Sequence, residues 1–134
     1  MNSPPTLSAV SSHIGKIRPS NQDSGSIKQN FYVVADGMGG HAGGDVASAL
    51  AVQHLSNLDG SFDSAEEARE ALFRSVLEAG VKLTQAVEQH PKLTGMGTTV
   101  SAMIQVESTM VIAHIGDSRI YRLREGVLEQ ITTD

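Results

Sequence analysis

A chain of 134 residues is long enough for one domain with a real core and too short for two. Acidic residues number 15 against 10 basic, a formal charge of −5 with no Lys/Arg cluster, which argues against nucleic-acid binding by electrostatic attraction. Cysteine is absent, removing disulfides, thiolate metal sites and cysteine nucleophiles together, and no apolar run approaches a membrane span or a signal peptide, so a cytoplasmic protein is expected.

Residues 6–13 read as a weak strand, and residues 15–30 as a polar, turn-rich stretch. Residues 31–35, FYVVA, are a short apolar run of β-formers that reads as a buried strand. It ends in Asp36 and a loop with five glycines in eight positions, residues 37–44, with His41 among them. From Gly44 the apolar residues Val46, Ala47, Leu50 and Leu55 recur at helical spacing. Residues 57–63 form a loop, after which Ser64 and Glu67 make a capping-box signature. Behind it Ala68, Leu72, Val76, Ala79, Leu83 and Val87 trace one helical stripe, ended by His90-Pro91. The last third holds four strands, residues 98–105, 109–115, 118–123 and 127–131, joined by turns suited to hairpins. Consecutive hairpins imply an antiparallel meander, and helices segregated from strands imply an α+β fold.

Glycines this dense let backbone approach a ligand closely, and phosphate, dinucleotide and metal ion are the candidates. Gly37-Met-Gly39-Gly-His-Ala42 fits the loose dinucleotide pattern, with Asp59 about twenty residues on. Asp36, however, would set a carboxylate beside the pyrophosphate, and Asp59 follows a helix rather than a second parallel strand. A phosphate loop fits worse, because residues 29–68 contain no lysine or arginine. A hard divalent cation suits Asp36, since Mg²⁺ and Mn²⁺ take carboxylate, carbonyl and water oxygens. A tight strand-to-helix turn with Asp36 bonded to backbone amides accounts for the loop equally well.

Two further stretches bear on that choice. Arg18-Pro-Ser-Asn-Gln-Asp23 carries an arginine and an aspartate in a segment without a core pattern, and Asp117 stands at a turn. Each alone has a plain reading, a solvated arginine and an Asx-type turn. Together with Asp36 they supply three loop carboxylates and an arginine suited to bidentate phosphate binding. That combination suggests phosphoester hydrolysis by metal-activated water.

The segments RPSNQDS, ADGMGGHAGGDVAS, GMGTTVSAMI and HIGDSRIYRLREGVLEQITTD, in that order, resemble the opening motifs of the bacterial metal-dependent Ser/Thr protein phosphatases, the PPM or type 2C family. The resemblance implies an α-β-β-α sandwich of two antiparallel sheets flanked by helices, with a binuclear metal centre at one end. It also implies attack on phosphoserine or phosphothreonine by a metal-bridging hydroxide, without a phosphoenzyme. Carried over by position, Asp36 bridges two Mn²⁺ or Mg²⁺ ions, the Gly37 carbonyl binds one, and Asp23 holds metal-bound water. Asp117 helps bind a third ion, Arg18 grips the substrate phosphate, and His41 is the general acid for the leaving alkoxide. The implied partners are phosphorylated proteins, substrates of a Ser/Thr kinase. His13, His54, His90 and His114 match nothing catalytic and read as structural or surface residues.

Gln22 stands where many members have glutamate, and the family's two later metal-binding aspartates, in Asp-Gly and Asp-Asn motifs, have no counterpart. The expectation is therefore that residues 1–134 are the N-terminal part of a single catalytic domain, its fold incomplete at the C-terminal end, weakly active or inactive alone. The alternative is a non-catalytic phosphatase relic acting as a binding module.

Overall fold

The computed structural model describes residues 7–39, 43–58 and 61–134. Its central element is β2 (Phe31–Met38), in which Phe31, Val33, Ala35 and Gly37 are buried while the residues between them are not. This alternation follows from the period of two in a strand, and it places Asp36 on the face opposite the Phe31 side chain. The strand outruns the FYVVA segment and carries Asp36 and Gly37 within it.

Strand β1 (Asp23–Lys28) pairs antiparallel with β2 from Lys28↔Phe31 to Asp23↔Asp36. It lies inside the stretch expected to be turns, because Ser-Gly-Ser supplies no β-forming residues. The strand is held extended by pairing with β2 and by packing against the helix that follows, where Ser24 Oγ lies 3.1 Å from Ser48 Oγ. Asn30, at φ 62, closes the turn between the two strands. The strand expected at residues 6–13 is not present among its described positions, 7–13. Leu7 and Val10 there are exposed, so no buried face rewards extended pairing.

Helix α1 (Gly43–Leu55) buries Ala47, Ser48, Ala51, Val52 and Leu55, leaving Val46 and Leu50 half-buried. The buried stripe is thus rotated from the expected one toward small residues, which let the helix lie close on β2. Helix α2 (Ala65–Gln89) starts at Ser64, whose hydroxyl accepts from the Glu67 amide at 3.1 Å. The Glu67 carboxylate reaches back to the Asp63 amide at 3.2 Å, one residue before its partner in a standard capping box. His90 caps the other end, and Pro91 opens a short 3-10 turn.

Strands β3 (Gly97–Thr98), β4 (Val100–Val106) and β5 (Thr109–Ile115) complete a five-stranded antiparallel sheet in the order β1-β2-β4-β5, with β3 also paired to β2. Both helices cover one face of it, where Phe31, Val33, Leu55, Leu72, Ala102 and Ile104 form the heart of the core. Strands β6 (Tyr121–Arg124) and β7 (Val127–Gln130) form a separate two-stranded sheet with every position exposed. The expected continuous meander therefore breaks between β5 and β6. Gly116, at φ 104, turns the chain off the sheet, and Ser118 is bonded to Thr99 instead of continuing back along β5. Antiparallel sheets with helices on one face bear out the α+β reading.

Candidate metal centre

Asp23 and Asp36 stand directly opposite each other across the β1–β2 pair, so their side chains emerge on the same face of the sheet. Each is locked through its backbone. The Asp23 amide donates to Asn21 Oδ1 at 3.1 Å. The Asp36 amide donates to Thr99 Oγ1 at 2.9 Å, and its carbonyl accepts from the Thr99 amide at 2.9 Å.

The glycines act at this junction by letting the strand end, the start of α1 and the segment before β1 meet without side chains between them. A Cβ on Gly37 would lie 1.8 Å from the Gly44 carbonyl oxygen and 2.7 Å from the Gln22 carbonyl oxygen. A Cβ on Gly44 would lie 2.5 Å from Gln22 Oε1. The Gln22 carbonyl accepts from the Gly37 amide at 3.0 Å and from the Ser48 hydroxyl at 2.7 Å. Gln22 is thus a structural hub beside Asp23, tied to both β2 and α1.

The electrostatics are those of crowded carboxylates. Burial raises the Asp36 pKa, and a hydrogen bond and charge repulsion from Asp23 raise it further. Asp117 adds to the rise and Arg18 opposes it, which brings all four charged residues expected at the site into one field. Arg18 is exposed and, among the described residues, makes no ion pair within 4 Å. Two acids held this close repel each other, and a hard divalent ion relieves that repulsion and suits an all-oxygen donor set. Among the described residues no three acidic or histidine side chains close into a finished metal cage. The structure brings together one carboxylate pair, with Asp117 and Arg18 within electrostatic reach.

His41 lies outside the described residues, as do Asp59 and Gly60. His114 bonds Ser101 through Nδ1 at 2.8 Å, and His54 Nε2 lies 3.8 Å from Glu78; neither contributes to the Asp36 shift. A cleft of about 560 Å³ between α2 and β5, lined by Phe73, Leu77 and Ile112 among others, includes none of the charged site residues. Sequence reasoning missed Thr99 and Ser48. The only signal for Thr99 was its place in the GMGTTV segment, and for Ser48 a polar residue on the buried side of a helix.

Residues 11–134 match the family described as Protein phosphatase 2C. The chain is 41% identical over 128 residues to the serine/threonine phosphatase stp of Listeria innocua, covering 90% of this chain and 51% of that protein. It is 40% identical over 126 residues to the serine/threonine protein phosphatase PstP of Mycobacterium tuberculosis, covering 94% of this chain and 24% of that one. The crystal structure of the Mycobacterium tuberculosis phosphatase PstP superposes with a TM-score of 0.86 at 40% identity, over 92% of this chain and 52% of that one. The catalytic domain of a PstP in complex with two manganese ions gives the same TM-score, 0.86, at 39% identity, over 92% and 54%. The chain belongs to the protein phosphatase 2C family. It spans about half the length of the Listeria relative.

Proposed function

We propose that this chain is the N-terminal part of a single catalytic domain that hydrolyses phosphoserine and phosphothreonine in proteins with the help of Mn²⁺ or Mg²⁺. The observation that carries the reading is the Asp23–Asp36 pair at a rigid strand end, with the Asp36 pKa raised by burial and then by its neighbour. A purely structural turn has no use for two apposed acids, and the two manganese ions in a PstP catalytic domain of the same fold support a divalent cation as their partner here.

Asp36 and the Gly37 carbonyl would hold the two catalytic ions, Asp23 would sit beside them, and Asp117 would help hold a third. When bound, the ions supply Lewis acidity toward the phosphoryl oxygens and an acidified water as nucleophile. Arg18, exposed and without an ion-pair partner among the described residues, is free to grip and orient the substrate phosphate in bidentate fashion. His41 would pass a proton to the departing serine or threonine oxygen. The partners are phosphoproteins made by a Ser/Thr kinase, met in the cytoplasm; among the described residues no helix is long and apolar enough to cross a membrane.

Hydrolysis of para-nitrophenyl phosphate tests the reading, measured in this chain alone and joined to the C-terminal half of a family relative. The completed form should turn over with Mn²⁺ and lose at least about 100-fold in rate on Asp36→Asn. The 134-residue chain by itself should turn over little. Undiminished rates in the variant, or with a chelator present, contradict the metal assignment, and an inactive completed form favours a non-catalytic binding module.

A further inference from the structure

Thr99 interrupts the backbone ladder at the position of Asp36. The β2–β3 and β2–β4 pairings share one register, Gly37↔Thr98 on one side and Val34↔Ser101 on the other, so Thr99 falls opposite Asp36. At that point the Asp36 amide is received by the Thr99 hydroxyl at 2.9 Å, while the Thr99 carbonyl accepts the Thr98 hydroxyl at 2.8 Å. Side chains have replaced one ordinary inter-strand bond. The same Thr99 hydroxyl lies 2.7 Å from Ser118 Oγ, and the residue is only 3% exposed.

The methyl group of Thr99 has a separate task. A Cβ on Gly116 would lie 2.6 Å from Thr99 Cγ2 and 2.9 Å from its Cβ, so the left-handed turn at Gly116 is seated on this side chain. Thr99 therefore meets Gly116 with its methyl group, and Ser118 and the Asp36 backbone with its hydroxyl, so that it touches both neighbours of Asp117. Valine would keep the shape and lose both hydroxyl contacts, leaving the Asp36 amide without its acceptor. Serine would keep the hydroxyl and lose the seat for Gly116.

We propose that Thr99 is a positioning residue that sets Asp117 against Asp36 and so fixes the spacing of carboxylates around the metal ions. The inference rests on the metal-binding reading above, and the test separates the two. In the metal-free 134-residue chain, amide hydrogen exchange followed by NMR should quicken roughly tenfold at Asp36 and at residues 117–118 in Thr99→Val, and not in α2. Calorimetric titration with Mn²⁺ should weaken roughly tenfold in Thr99→Val, with most of the affinity kept in Thr99→Ser. Unchanged exchange at residues 117–118 overturns the proposal, as does unchanged Mn²⁺ affinity in Thr99→Val when Asp36→Asn has lost it. Mn²⁺ affinity that survives Asp36→Asn, or is absent from the parent chain, overturns the metal reading instead, and the exchange rates still decide for or against Thr99.

Discussion

Asp36 ties the electrostatics of the site to pH. Its folded pKa is raised above the ordinary 3.8, first by burial and then by Asp23. Between 3.8 and the raised value the folded chain binds more protons than the unfolded one, so stability falls as pH rises through that window and levels off above it. Urea midpoints of the metal-free chain should follow this course, and Asp36→Asn should flatten it; a stability that climbs with pH in that window contradicts the carboxylate pair. A metal ion binds the ionised Asp36 carboxylate and competes with its proton, so Mn²⁺ affinity should rise with pH over the same range. Asp23, Asp36, Asp117 and Arg18 were legible as residue types because acids and an arginine in loops have no core to serve. Their convergence followed only from the resemblance and not from the residues themselves, since it depends on the β1–β2 register, and β1 carries little strand signal of its own.

At the scale of elements, the glycine loop separates chemistry from packing. Its glycines read as room for a ligand, yet Gly37 and Gly44 are needed for the strand end, α1 and Gln22 to touch. Two alanine substitutions isolate that role. Gly37→Ala puts a methyl 1.8 Å from a backbone oxygen that has nowhere to move, and should cost more than about 2 kcal/mol. Gly80→Ala, on an exposed turn of α2 with nothing within 4 Å, should stabilise by about 0.5–1 kcal/mol through helix propensity. Equal effects of the two by urea denaturation would mean that the junction is not close-packed. Helix α2 was readable because its stripe and cap are local. The buried side of α1 was misjudged by part of a turn, since small residues bury where the sheet comes closest, which no local pattern records.

Across the molecule, the helices and most strands were legible and the resemblance implied two sheets, whereas the point at which the chain leaves the first sheet was not. Gly116-Asp117 has good hairpin chemistry, and only the contact of Gly116 and Ser118 with Thr99, nearly twenty residues earlier, diverts the chain. The diversion leaves β6 and β7 exposed, with Leu123, Val127 and Leu128 uncovered. It leaves Asp36 on the sheet face away from the helices, beside Val34 and Met38, which are 46% and 58% exposed. An open face with acids at its edge is where a metal ion can enter.

Whether the Asp36 strand end holds a divalent cation can be read from anomalous X-ray scattering by crystals soaked in Mn²⁺. A manganese peak is expected in contact with the Asp36 carboxylate and the Gly37 carbonyl oxygen, and is expected to vanish in Asp36→Asn. Fully occupied manganese elsewhere with none at Asp36, or a peak there that survives Asp36→Asn, would contradict the metal assignment.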